Sequence, residues 1–147
     1  MGVGYKVFES LNVLYVRFDG THTIRLADQL LPLYRQDEHV RPGLISLLDC
    51  AGVTDAKLDV NARLVQMETL CNMLKDPQRD WRVAYFCPTK LSRSLTDMQR
   101  MLWSRWQGVR FETLESKMAL ASYLGQPLSV IEDMLACDVT PAPPSQP

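Results

Sequence analysis

Alternating and continuous runs of apolar residues predict five strands along the chain. Residues 5–8 and 13–18 are β-rich and flank Asn12, a turn former, so an antiparallel hairpin is expected at the start. Residues 44–48 form a nearly continuous apolar run, which is typical of a central strand covered on both faces. Two further strands are predicted at 81–87 and 109–113.

Apolar positions at helical spacing predict five helices. The clearest covers residues 60–74 and carries the stripe Val60, Leu64, Met67, Cys71 and Leu74. A helix over 24–34 is expected to bend or shorten, because Pro32 removes a backbone hydrogen bond. The next helix ends before Gly108, and its expected core stripe is Leu91, Leu95, Met98 and Leu102. The last two helices are expected at 115–124 and 127–135.

The resulting order, ββαβαβαβαα, predicts an α/β domain with a mixed sheet of about five strands. Residues 44–48 and 82–87 are expected to be neighbouring parallel strands. If each strand adds on the same side of the last, the main helices share one face. The first helix, a partner or a ligand would then cover the other face. One domain is expected over residues 1–138, followed by a disordered tail over 139–147 that holds four prolines.

Residues 44–55, Leu-Ile-Ser-Leu-Leu-Asp-Cys-Ala-Gly-Val-Thr-Asp, resemble the STAS domain family, the fold of bacterial anti-sigma-factor antagonists. The opening hairpin and the closing strand with Phe111, followed by a helix through Leu124, resemble that family too. The chain is still more similar to the compact SpoIIAA-like proteins, which share a fold lineage with lipid-carrying Sec14-type domains. The likeness covers roughly residues 5–125.

The resemblance implies the fold of the family but not its phosphorylation switch. In the antagonists, a serine just after the second Asp of the motif is phosphorylated to break the partner complex. Aligned on Asp55, that position holds Ala56, and Thr54 is the only nearby hydroxyl. A phosphate at a helix start would be a sensible switch, but this chain lacks the acceptor.

Composition indicates an ordinary globular protein. Of the 147 residues, 46% are hydrophobic and 22% are charged, and the formal net charge of −1 gives no global attraction to nucleic acid or acidic membranes. No apolar run is long enough to span a bilayer, and residues 1–10 do not resemble a signal peptide, so a cytoplasmic location is expected. The cysteines are expected to be reduced; they are Cys50, Cys71, Cys87 and Cys137.

A ligand or partner site is predicted at the carboxyl ends of the parallel strands, where open α/β sheets bind ligands. The candidates there are Asp49, Cys50, Gly52, Thr54, Asp55, Thr89 and Lys90. The alternative is that Asp49 and Thr89 only cap turns and helices, since no glycine-rich phosphate loop is present.

Catalytic chemistry is not predicted. Cys50 and Cys87 both fall at strand ends, and His22 is the only base on that edge, which leaves a nucleophilic site incomplete. The sequence lacks G-x-S-x-G and H-E-x-x-H motifs and convergent metal ligands, so we expect no enzyme, no cofactor and no metal.

The segment from Lys90 to Arg110 contains several basic and aromatic residues, which favours a binding role for this part of the protein surface. Five cations there accompany two tryptophans, which would suit nucleic acid, but the net charge favours a solvated face. Trp103 falls off the expected stripe, so Trp103 and Trp106 are predicted as interface anchors, with Arg100 and Arg105 at the rim. The expected function is a regulatory protein-interaction module, self-association as a dimer included. The alternative is a carrier or sensor of a small, partly apolar ligand, either lipid-like or anionic, at the sheet edge or face.

Overall fold

Six strands form one mixed sheet in the computed structural model, which describes residues 2–143. They are β1 Gly2–Phe8, β2 Val13–Thr23, β3 Ile45–Lys57, β4 Trp81–Phe86, β5 Val109–Leu114 and β6 Thr140–Pro141. Their spatial order is β5-β4-β3-β2-β1-β6. Strands β2 to β5 are parallel, and β1 is antiparallel to both β2 and β6. The predicted mixed α/β sheet is confirmed, as are the opening hairpin and the parallel pairing of β3 with β4.

The helices are α1 Ile24–Asp28, α2 Leu30–Gln36, α3 Val60–Leu74, α4 Lys90–Trp103, α5 Lys117–Leu124 and α6 Leu128–Leu135. Side-chain oxygens of Thr23, Asp59, Thr89 and Ser116 accept backbone N–H bonds at the starts of α1, α3, α4 and α5. The bend expected near Pro32 occurs as a break at Gln29, which leaves Pro32 in the first turn of α2, where proline is tolerated.

Helices cover both faces of the sheet, and the second face is covered by α5 and α6 rather than by the first helix, a partner or a ligand. Side chains of α2, α3 and α4 pack on the face that carries Leu14, Val16 and Val83. Helices α5 and α6 pack on the opposite face, against Val13 and Leu47. Because β2, β3 and β4 are apolar on both sides, the chain after edge strand β5 returns across the second face and covers it.

Strands β2 and β3 run well past their predicted ends. Asp19-Gly20 was expected to end β2, but residues 19–23 continue the strand beside Gly52–Lys57, with register shifts near Asp19 and Gly20. These irregularities are β-bulges, which let the two segments stay paired while Val53 remains in the core. Ala56 therefore lies in β3, opposite His22, rather than at the start of a helix.

The tail predicted to be disordered from residue 139 is ordered at its start. Thr140–Pro141 forms β6 against β1, and the amide of Ala142 donates to the carbonyl of Val3 at 2.9 Å. Gly4 permits this contact, because a Cβ atom there would lie 2.5 Å from a methyl of Val139. The other tail residues, 144–147, lie outside the described part of the chain.

Candidate functional site

A small cavity lies between the sheet and helices α1–α4. Its volume is about 40 Å³, and its walls are mostly apolar side chains from β2, α2, α3 and β4. They include Leu14, Val16, Leu30, Leu70, Leu74 and Val83. One end of this cavity is polar, because the hydrogen-bonded side chains of Arg63 and Gln66 of α3 line it.

Arg63 is a buried cation at that polar end, with only 5% of its surface exposed. Its Nε donates to Oε1 of Gln99 at 2.9 Å, its Nη2 donates to the hydroxyl of Tyr85 at 2.9 Å, and its Nη1 donates to Oε1 of Gln66. The guanidinium also lies 5.5 Å from the ring of Trp103. All these partners are neutral, and none of the ion pairs formed among residues 2–143 includes Arg63.

Gln66 connects Arg63 to the helix that covers the cavity. Its Nε2 donates to the carbonyl of Ile24 at 3.3 Å and to Oδ1 of Asp28 at 2.8 Å, while its Oε1 accepts from Arg63. Residues three apart on a helix share a face, so Arg63 and Gln66 reach α1 and the sheet together. The exposed carboxylate of Asp28 therefore touches Gln66 rather than the guanidinium.

Gln99 has one buried donor without a partner. Only 1% of this residue is exposed, and its Oε1 accepts from both Arg63 and Tyr85. Its Nε2 makes no hydrogen bond within residues 2–143. The Tyr85 hydroxyl cannot accept from it, because that oxygen already accepts from Arg63 and Trp103 and donates to Gln99 itself. An unsatisfied buried donor is uncommon in folded proteins.

A second cavity of about 10 Å³ adjoins the first and shares Phe18, Ala27, Leu48 and Arg63 with it. The rest of its lining is His22, Cys50, Tyr85, Leu95 and Gln99. The Nδ1 atom of His22 is also buried without a partner in the described chain. Three polar groups from α3, α4 and β2 thus meet in one small space, and two of them are unsatisfied.

Burial makes the groups around this space unreactive at neutral pH. Desolvation, with a smaller contribution from Arg63, lowers the pKa of His22 to about 4. Desolvation also raises the pKa of the Cys50 thiol far above its usual value. A nucleophilic cysteine needs a lowered thiol pKa and a basic partner near neutrality. His22 and Cys50 therefore do not form an activated thiol–base pair.

Acidification is expected to destabilise the fold through His22. Its folded-state pKa of about 4 lies below the ordinary value of 6.5, so the unfolded chain binds this proton more readily between those values. The stabilisation that neutral His22 contributes is fully present above its ordinary pKa of 6.5 and decreases as the pH falls toward 4. Between pH 7 and pH 5 the free energy of unfolding should drop by about 2 kcal/mol on its account. Urea unfolding of His22→Gln at both pH values should lack that part of the drop.

His39, the only other histidine, provides the control. It is exposed, and its hydrogen bond with Glu9 raises its pKa, so its contribution has the opposite sign. His39→Gln should therefore keep the full acid-induced drop. Burial also raises the pKa of Asp49, but Asp49 is present in the native chain and in both histidine variants. Its effect on the pH dependence of stability therefore cancels in the comparison. The same pH dependence in the native chain and His22→Gln would contradict this assignment.

The residues predicted as a ligand loop do not form one. Asp49, Cys50, Gly52, Thr54 and Asp55 all belong to strand β3, so they lie along an extended strand rather than in a loop after it. Of these residues, only Cys50 lines one of the two cavities, the smaller one. Thr54 and Asp55 are exposed, away from the helix start, which is capped by Asp59.

Asp49 belongs to a structural network on the opposite face. Its Oδ2 accepts from the hydroxyl of Tyr15, and its Oδ1 accepts from the amide of Ala51. Arg17 donates to the same Tyr15 oxygen and to the carbonyls of Leu135 and Cys137 at the end of α6. This network fixes α6 to the sheet, which agrees with the capping alternative for Asp49.

Thr89 and Lys90 lie at the start of α4, where Thr89 caps the helix through Ser92. Lys90 lines a surface groove with Arg93 and Arg100. Both arginines are paired there: Arg93 with Glu115 and Arg100 with Asp97, each at 3.5 Å. These pairs favour the solvated-face interpretation of the basic residues.

The interface prediction is wrong for Trp103. Only 2% of this residue is exposed, and its ring packs against Trp81 and Trp106 at 5.3 and 5.8 Å. The buried face of α4 is Ser92, Leu95, Thr96, Gln99, Leu102 and Trp103. Leu91 and Met98, expected in the core, are 39% and 44% exposed, because the true stripe includes polar residues. Trp106 is half-buried, and Arg105 is exposed.

Sequence reasoning missed Arg63, Gln66 and Gln99. A signal was available, because Arg63 is in phase with Met67 and Leu74 on α3, and Gln99 is in phase with Leu95 and Leu102 on α4. A polar residue in phase with an apolar stripe indicates a buried polar group, which requires partners.

An opening hairpin, three parallel βα crossovers and two closing helices define a SpoIIAA-like α/β fold. A solved structure of an uncharacterised protein of the DUF3478 family from Shewanella loihica PV-4, described as having a SpoIIAA-like fold, is similar to this chain with a TM-score of 0.55. The match covers 84% of this chain and 94% of that one at 19% identity, so it establishes the fold alone. The fold resemblance indicated by the sequence is confirmed.

No protein-family model and no curated protein matches the chain. Within residues 2–143, no helix is long and apolar enough to cross a membrane. The same residues contain no cluster of three His, Cys, Asp or Glu side chains suited to a metal ion.

Proposed function

We propose that this chain is a non-enzymatic module that binds one small, partly apolar ligand between the sheet and helices α1–α4. One observation carries the proposal: Arg63 is buried beside an apolar cavity and has only neutral partners. A buried charge is costly unless an opposite charge accompanies it. A ligand is the natural source of that charge.

The shape of the site supports the same function. Ligand sites are mostly apolar and contain a few placed polar groups that fix orientation. Here leucine and valine side chains form the walls, and the polar groups of α3 and α4 meet at one end. The high thiol pKa of Cys50 and the low pKa of His22 support binding rather than turnover.

The alternative, a regulatory protein-interaction module, has weaker support. Its main anchor, Trp103, belongs to the core, and the Arg100 side chain pairs with Asp97 and bonds to Thr113 within the chain. Self-association stays a prediction that the oligomeric state in solution tests.

Titration with 1-butanol, followed by methyl NMR, tests the proposed function. The probe should cause saturable shifts at the methyl groups of Leu30, Leu70 and Leu74, which line the cavity. Ala27→Leu should abolish those shifts, because Ala27 lines both cavities and a larger side chain fills them. Ala119→Leu is the matched control, since Ala119 packs on the opposite face of the sheet.

Native mass spectrometry of the freshly purified protein is the second measurement. A defined small molecule released on denaturation supports the proposal. Absence of saturable shifts, together with a mass equal to the chain alone or to a dimer, overturns it.

A further inference from the structure

Resting on the proposed function, we infer that the ligand is a short-chain monocarboxylate. Its carboxylate binds Arg63 and the free Nε2 of Gln99, and its alkyl chain occupies the apolar cavity bounded by α2 and α3. Arg63 lines both cavities, which places its guanidinium between the proposed positions of the alkyl chain and the carboxylate.

The single positive charge of the site favours a ligand that carries one negative charge. The site holds a single buried cation, and its nearest carboxylate along the hydrogen-bond network, Asp28, is exposed and separated from Arg63 by Gln66. A monoanion makes the buried site neutral. A dianion would leave one buried negative charge, and an amine would place a second cation beside Arg63.

The available donors match a carboxylate. A guanidinium has five N–H groups, and three bonds from Arg63 go to Gln99, Gln66 and Tyr85. The remaining N–H groups of Arg63 and the unpartnered amide of Gln99 are donors without acceptors. A carboxylate brings two oxygens that only accept, whereas an alcohol brings one oxygen and no charge.

The orientation of Gln99 is fixed by its neighbour. Arg63 has donors only, so the oxygen of the Gln99 amide must face it. Rotating the amide by half a turn would bring two donors together. The free Nε2 therefore faces away from the Nε of Arg63, and Gln99 lines the smaller cavity together with His22.

Size limits the alkyl chain. The apolar cavity is about 40 Å³, roughly three times the space that one water needs by the same kind of measure. A chain of about four carbons suits that space, and a long acyl chain does not. The site is thus suited to short organic acids rather than to lipid tails.

Three four-carbon probes separate the hypotheses at neutral pH: butyrate, 1-butanol and butylamine. Methyl NMR titration should give butyrate a Kd at least about tenfold lower than that of 1-butanol, since one ion pair between buried groups distinguishes them. Butylamine should bind more weakly than 1-butanol. Inorganic phosphate, added alone, should leave the cavity methyl groups unshifted.

Gln99→Glu supplies the matched test, because it places a carboxylate of the chain beside Arg63. Butyrate binding should weaken at least about tenfold, while 1-butanol still shifts the methyl groups of Leu70 and Leu74. Gln107→Glu makes the same change in net charge at an exposed position and should leave butyrate binding unchanged.

The two proposals fail in different ways. If 1-butanol saturates the cavity methyl groups and butyrate binds no more tightly, the carboxylate inference is overturned and the proposed function stands. If Gln99→Glu binds butyrate as the native chain does, the inference is overturned as well. If no probe shifts those methyl groups, the ligand-binding function itself fails.

Discussion

Trp103→Ala is expected to lower the free energy of unfolding by about 3–5 kcal/mol, which is the usual range for truncating a buried aromatic residue. The indole fills space between β4 and α4, with its ring 5.3 Å from Trp81, and it donates from Nε1 to the Tyr85 hydroxyl at 3.2 Å. Truncation removes both contacts and leaves a cavity against Arg63. Urea unfolding monitored by circular dichroism measures the loss.

Trp106→Ala provides the matched control on the same segment. Trp106 is half-buried and packs on the outer side of Trp103, so its loss should cost about 1 kcal/mol or less. If Trp103→Ala leaves stability unchanged but reduces self-association, the core placement is wrong and the original interface prediction is right. Trp103→Phe keeps part of the packing and should fall between the two alanine variants.

The sequence was most informative where one pattern dominated. The bounds of α3 agree with the prediction, because an uninterrupted helical period ends at Asp76-Pro77. The turn of the hairpin was predicted at Asn12, which adopts a left-handed backbone conformation that asparagine tolerates. Local chemistry sufficed in both cases.

The extensions of β2 and β3 could not be predicted in that way. Residues 19–23 and 52–57 are mostly polar or glycine and carry no clear strand pattern of their own, and they are extended because they pair with each other across the sheet. The closing helices also depend on tertiary structure. Nothing local to α5 and α6 states that they must cover the second face.

The phase of α4 explains why the candidate site was missed. The spacing of apolar residues predicted Leu91 and Met98 in the core, but the buried face of α4 includes Ser92, Thr96 and Gln99. Their burial depends on the partners that the fold brings to them: Thr89 for Ser92, and Arg63 and Tyr85 for Gln99. The partners of Gln99 lie 36 and 14 residues away in the sequence, so helical periodicity does not reveal them.

Gln99→Glu is expected to raise the free energy of unfolding at neutral pH by about 1–2 kcal/mol. The substitution preserves the shape of the side chain, removes the unsatisfied Nε2 donor and gives Arg63 an ionised acceptor at the position of the present 2.9 Å bond. The free-energy cost of burying the Arg63 guanidinium is present in the native chain as well, so the substitution does not add to it. Only the carboxylate must be desolvated, and Arg63 and Tyr85 both donate to it. Urea unfolding without added organic acid measures the gain.

Gln66→Glu distinguishes this explanation from a general benefit of added negative charge. Both variants place a carboxylate beside Arg63, but the Nε2 of Gln66 is already used, donating to Ile24 and Asp28. A glutamate there would turn an oxygen toward a carbonyl and a second carboxylate, so stability should fall by about 2 kcal/mol or more. The two isosteric changes should therefore shift stability in opposite directions. If both variants stabilise the chain, the added charge alone matters and Gln99 is not the unsatisfied member of the site. If both destabilise it, the neutral partners already suffice for Arg63, and no anionic ligand is needed to complete the network.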